Sequence, residues 1–140
     1  MKKIVLLTIF ALSLWANQAS IAANELGYAN SYSEGLAKAK KEHKLMMLIL
    51  VRDGCHWCKR FENETLKDVA IKTKIAGFVK VLVDKEDEMP ESFRSNFIPV
   101  THFIDPKTEK SVWDLAGFKE PKDFQEDIAA AKLEYQHPRK

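Results

Sequence analysis

Cys55 and Cys58 stand either side of His56 and Trp57 in the stretch VRDGCHWCKRFE, residues 51–62, and they are the only cysteines in the chain. Two thiols at this spacing can cycle as a dithiol–disulfide couple, supply half of a metal site, or form a static bridge. The thiolate is both the nucleophile and the metal ligand, so the local field decides which chemistry is open. An apolar run ends at Val51, the polar turn RDG follows, and a helical pattern starts at the first cysteine. Cys55 is therefore expected at a helix N-terminus, where unpaired N–H groups and the positive end of the macrodipole stabilise a thiolate. Thiols so placed have pKa values lowered from about 8.5 to between about 3.5 and 7.5. Cys55 is expected at the exposed tip as the attacking thiol. Cys58, one turn further in and shielded, is expected to resolve. A protonated His56 would favour the thiolate further, while Lys59 and Arg60 are expected to end in water.

The other readings are weaker but stay open at this point. A static Cys55–Cys58 bridge closes a very short loop. By the chain-entropy account it stabilises less than the roughly 3 kcal/mol of a fifteen-residue loop. A structural zinc site wants four ligands, and the chain has no second cysteine pair. Cu(I) prefers soft thiolate, and His56 or His102 could join the cysteines, which leaves a copper-carrying role as one alternative. Docking of partners through Trp57, without turnover, is another. Trp57 lies on the helix rim beside the couple and is expected to touch partner chains. Phe103, Trp113 and Phe118 are expected to pack in the core or the hairpin, and His43 and His137 to lie on the surface.

The elements that must position the couple follow from periodicity. Residues 24–32 read as a loose lead-in. Ser31 with Glu34 forms a capping box that opens a helix over SEGLAKAKKEHK, with Leu36, Ala37 and Ala39 as its narrow apolar edge. LMMLILV, residues 45–51, reads as a central strand covered on both faces. The helix carrying the cysteines is expected to break near Thr65–Asp68, and a second piece, DVAIKTKIAG, to stop at Gly77. Residues 78–84 alternate as a strand, and Pro90 opens a short helix. Residues 98–105 form a third strand, DPKTEK a turn, and SVWDLAG an antiparallel fourth strand. A last helix from Pro121 buries Phe124, Ile128, Ala131 and Tyr135. This order describes an α/β fold: a central mixed sheet of about four strands with helices on both faces. Pro99 stands where the third strand starts, a place that needs a reason because proline forfeits a ladder bond. A cis Ile98–Pro99 bond would supply one; such bonds are only about 5–6% of X-Pro bonds, so position alone does not establish it.

Residues 1–22 read as a cleaved signal peptide, ahead of a single domain over residues 23–140. Lys2 and Lys3 are followed by the apolar block IVLLTIFALSLW and then by small residues, with Ser20-Ile21-Ala22 as the favoured cleavage site. The apolar block spans about 18 Å as a helix, short of the roughly 30 Å hydrocarbon core, so a membrane anchor fits less well. Removing these residues leaves equal numbers of basic and acidic side chains. A neutral, mixed-sign domain offers no field for nucleic acid. Export to the periplasm would let a disulfide form and persist.

Taken together, the text KLMMLILVRDGCHWCKRFENETLKD, then FVKVLVD, IPVTHFIDPKTEK and LAGFKEPKDF, resembles the thioredoxin superfamily. It looks most like secreted, single-domain bacterial thioredoxin-like proteins, and is similar to the C-terminal domain of the periplasmic thiol:disulfide interchange reductase. The likeness spans residues 31–136 and implies a thioredoxin-like fold. It implies Cys55 as nucleophile, Cys58 as resolving cysteine, and Pro99 as a cis-proline facing them. It also implies that backbone at Ile98 pairs with bound substrate chains. Two departures stand out. Gly54 precedes the first cysteine and His56-Trp57 separate the pair, where thioredoxin has Trp and Gly-Pro. Thioredoxin's buried acid, which helps deprotonate the resolving thiol, is matched here by Ile49. Glu62 or solvent would have to replace it, although Glu62 reads as an exposed helix carboxylate.

The expected activity is that of an exported protein thiol:disulfide oxidoreductase, with His56 and Trp57 tuning the couple. No bound cofactor and no metal are needed, because the cysteines carry the electrons. Disulfide or dithiol client proteins and a thiol electron donor, such as a membrane reductase, are the implied partners, and a monomer is expected. The intervening residues set the potential, between about −270 mV for thioredoxin and about −120 mV for the strongly oxidising bacterial enzyme. His56 pushes toward the oxidising end, whereas the resemblance points to a reductase.

Overall fold

The computed structural model describes residues 16–139. The basic and apolar parts of the expected signal peptide, up to Trp15, lie outside the described residues.

Met46–Val51 (β1) is buried at every position, as its unbroken apolar run requires. It pairs in parallel with Val79–Asp84 (β2) and antiparallel with Val100–Asp105 (β3). The hairpin partner Lys110–Ala116 (β4) completes a four-stranded sheet of order β2-β1-β3-β4. Side chains alternate across β1, so the sheet builds two cores. Met47, Ile49 and Val51 pack with Phe61, Phe103 and Phe124 on one face, whereas Met46, Leu48 and Leu50 pack with Val81, Val83 and Phe93 on the other. The Phe61 ring meets Phe124 edge-on at 5.2 Å. Burying side chains of this size stabilises the fold by about 1.5–3 kcal/mol each.

The expected helices are recovered, with differences at both ends and in the middle of the chain. The segment expected as a loose lead-in begins in a helix, Gln18–Leu26 (α1). Asn17 caps it by accepting the Ser20 N–H at 2.8 Å, and Ala19, Ala22 and Ala23 are buried in the same core as the cysteines. The small residues that resemble the tail of a leader thus also have helical spacing, and a cut before Ala23 would divide this helix. Tyr32–Glu42 (α2) starts at Ser31 as expected, with the hydroxyl accepting the Glu34 N–H at 3.4 Å. It lies against β2 through Gly35, where a Cβ would come within 2.2 Å of Val81 Cγ2.

His56–Arg60 (α3) runs directly into a π-helical segment, Phe61–Leu66, and the chain breaks at Lys67 and Asp68. Asp68 then caps Val69–Lys74 (α4) by accepting the Ile71 N–H at 3.0 Å. This helix ends short of Gly77, because buried Ile75 leaves it and its carbonyl accepts the Phe78 N–H in a turn into β2. The short helix expected after Pro90 is a single 3-10 turn, Glu91–Phe93. Pro121–Gln136 (α5) buries Phe124, Ile128 and Ala131 and leaves Tyr135 half-buried.

Candidate active site

The end of β1 and the start of α3 hold the cysteines. Between them Gly54 has φ 67°, a left-handed turn that a side chain would strain. Cys55 is the N-cap of α3: its Sγ accepts the backbone N–H of Cys58 at 3.2 Å. The two are joined in a disulfide with Cα atoms 5.3 Å apart. Cys55 retains 6% of its surface and Cys58 none. Cys55 is thus more covered than the exposed tip expected, because the loop before β3 lies against it.

That loop carries the proline. Ile98–Pro99 is cis, and the Ile98 carbonyl oxygen lies 4.0 Å from Cys55 Sγ. The Pro99 carbonyl accepts the Gly117 N–H at 2.7 Å, which ties the end of β4 to the same place. Trp57, Ile98, Gly117 and Phe118 line a shallow groove of about 360 Å³ beside the disulfide. A larger concavity, about 740 Å³ and lined by Asn17, Tyr32 and Asp87 among others, lies away from Trp57 and Ile98.

Trp57 is half exposed on the groove's rim, with His56 edge-on against it at 5.5 Å. Arg60 does not end in water. Its guanidinium lies 5.1 Å from the Trp57 ring centre and 4.6 Å from that of Phe118, while bonding both oxygens of Glu64 at 2.8 Å. The hydrogen bond from Arg60 holds the Glu64 carboxyl below its usual range, against a small opposing effect of burial. Phe118, expected as simple packing, is half of this aromatic stack. Thr65 fixes its loop, donating to the Lys119 carbonyl at 2.5 Å.

Glu62 is the other correction. It is only 3% exposed rather than a surface carboxylate, and it follows Cys58 by one helical turn. One oxygen accepts from Gln18 Nε2 at 3.1 Å and the other from Lys59 Nζ at 3.4 Å. The i,i+3 step from Trp57 to Arg60 was a signal available in the sequence. The contact between Gln18 and Glu62 had none, because it joins segments far apart in the chain. His102 turns to the opposite face of the sheet, against Phe93 and Asp114, and takes no part in the site. Among the described residues no three metal-ligating side chains gather.

The family described as thioredoxin-like matches residues 28–106, which run from just ahead of α2 through the cysteines and the proline loop to the end of β3. The chain belongs to the thioredoxin-like family. It is 28% identical over 143 aligned positions to a thiol:disulfide interchange protein DsbD from Actinobacillus pleuropneumoniae. That alignment takes in 87% of this chain but 24% of the relative, so the chain spans about a quarter of that protein's length. Among solved structures, a thioredoxin from Thermus thermophilus superposes with a TM-score of 0.67 at 20% identity, covering 80% of this chain and 96% of that one. The oxidised C-terminal domain of DsbD from Neisseria meningitidis gives 0.57 at 19% identity, over 79% and 95%. These superpositions establish the thioredoxin-like fold expected from the sequence.

Proposed function

We propose that this thioredoxin-like protein is an exported thiol:disulfide oxidoreductase that reduces disulfides in client proteins. The observation that carries the reading is the pairing of Cys55, at a helix N-cap and facing the Ile98 carbonyl, with a fully covered Cys58 one turn behind it. The Cys55 thiolate attacks a client disulfide, a mixed disulfide forms, and one client sulfur leaves as a thiolate. Cys58 then loses its proton and attacks the Cys55 sulfur. The client leaves with its second thiol, and the Cys55–Cys58 bridge now holds the oxidised state. Buried Glu62, one helical turn after Cys58, takes the Cys58 proton in place of the acid that Ile49 replaces. A thiol donor, such as a membrane reductase, returns two electrons to the bridge.

The client strand lies in the groove lined by Trp57, Ile98, Gly117 and Phe118, its backbone against Ile98 and Pro99. The DsbD likeness supports the reducing direction, and the leader-like start of the chain supports the periplasm as its setting. The protein works as a monomer without a cofactor, and no nucleic acid takes part.

The test is a Cys58→Ser variant mixed with disulfide-bearing extracts and separated without reductant. Clients held on Cys55 are expected, and an empty trap overturns the proposal. Equilibration of the wild-type couple with glutathione tests direction. A potential near about −120 mV would make the protein an oxidant instead.

A further inference from the structure

Building on the redox reading, we propose that Gln18 is a positioning residue of the Cys55–Cys58 centre, so that α1 belongs to the working protein and export processing cuts ahead of it. Gln18 reaches the site twice. Its side-chain Nε2 donates to Glu62 Oε1 at 3.1 Å, and its backbone N–H donates to Asp53 Oδ1 at 2.7 Å. Asp53 lies in the turn just ahead of Cys55, and Glu62 lies one turn behind Cys58. One residue from outside the cysteine segment therefore grips both ends of it.

The chemistry explains the residue type. A carboxylate as covered as Glu62 needs hydrogen bonds to each oxygen, or its burial is unfavourable. Lys59, on α3, supplies one from a half-exposed ammonium. Gln18, on α1, supplies the other from a neutral amide. That amide fixes the carboxylate's orientation without adding a second positive charge to compete for it. With Gln18 gone, Oε1 would lose the hydrogen-bond partner that the structure gives it, and the carboxylate would lose its fixed orientation. The first attack by Cys55 does not use Glu62, so the loss falls on resolution. The helix is built to hold Gln18 there: Asn17 caps it, and Ala19, Ala22 and Ala23 bury its inner side. A cut before Ala23 would discard the cap and Gln18 together. Ala16 offers a small residue ahead of the cap for an earlier cut.

Gln18→Met keeps length and helix preference and removes the donor. Stopped-flow measurement with a small disulfide peptide separates formation of the Cys55 mixed disulfide from its resolution by Cys58. Resolution is expected to slow by about tenfold, with formation unchanged, since a hydrogen bond to a charged group is lost. Gln18→Glu, which faces Glu62 with a second carboxylate, is expected to slow it more. In a Glu62→Gln background, Gln18→Met is expected to cost nothing further. Equal loss in both steps, or none, overturns the positioning role while the redox reading stands. Absence of any mixed disulfide in the wild type overturns the redox reading itself. Mass spectrometry of the exported protein is expected to find its first residue at or before Gln18; a start at Ala23 overturns the retention of α1.

Discussion

The sulfur of Cys55 accepts the backbone N–H of Cys58 at 3.2 Å, so the first cysteine caps the helix that contains the second. The same geometry favours negative charge on Cys55 once the bridge is reduced, because the cap site concentrates unpaired amide dipoles. Cys58 has no accessible surface. In the reduced protein, iodoacetamide is therefore expected to modify Cys55 alone at first, and to keep doing so at pH values well below the ordinary thiol range of about 8.5. Peptide mapping after limited alkylation checks this. Equal labelling of both residues, or a rate that follows an ordinary thiol, would contradict it.

Arg60 lies over both Trp57 and Phe118, whose rings meet at 5.7 Å, and is held there by Glu64. An exposed cation–π contact contributes about 0.5–1 kcal/mol, so the stack is worth more as a fixed wall of the groove than as a source of stability. Arg60→Ala is expected to leave the urea midpoint nearly unchanged and to raise KM for a peptide disulfide with little change in kcat. Arg60→Lys is expected to resemble Arg60→Ala, since an ammonium cannot span two rings and bond both oxygens of Glu64. Trp57 fluorescence reports the stack directly. A variant with unchanged KM and emission would show that the groove holds its shape without Arg60.

Most of the fold was legible because its signals are local. The apolar run of β1, the Ser31 cap, the break at Asp68 and the spacing of Phe124, Ile128 and Ala131 each lie within one element. The cysteines and Pro99 were legible for the same reason, aided by the family resemblance. What was missed depends on contacts between distant segments. Glu62 looked exposed because only tertiary structure brings Gln18 over it. α1 was hidden because alternating small residues suit both a leader's cleavage region and a helix packed closely on a core. The π-helical turn after α3 has no sequence signature at all.

Gly35 tests how tightly α2 is pressed to the sheet. A Cβ at this position would meet Val81 Cγ2 at 2.2 Å, far inside contact distance, with Met46 Sδ at 3.3 Å behind it. Alanine normally favours a helix interior over glycine by about 1 kcal/mol. Here overpacking outweighs that gain, and Gly35→Ala is expected to destabilise by about 1–3 kcal/mol. Val81→Ala, itself destabilising, is expected to remove most of the extra cost when the two are combined. Urea midpoints of the four proteins in the cycle give the coupling. If the two effects simply add, the helix has room that the structure does not show.

Asp114 gives the fold a specific acid dependence. Burial works to raise its pKa, but hydrogen bonds from His102 at 2.6 Å and Ser111 at 2.5 Å outweigh burial and hold it below its ordinary value. His102 in turn bonds the Phe93 carbonyl at 3.0 Å, so the carboxylate anchors β4 to the segment leading toward the proline loop. A depressed folded pKa means that the contribution is complete above the unfolded value of about 3.9 and is lost as pH falls through the folded one. The Asp114 side chain is 57% exposed, so solvent screening keeps the effect below about 1 kcal/mol. Asp114→Asn is therefore expected to be less stable than wild type at neutral pH. The two urea midpoints should converge as the pH falls below the ordinary carboxylate range and the wild-type carboxylate is protonated too. Curves that stay parallel through and below the carboxylate range would show that the carboxylate's charge contributes nothing to this anchor.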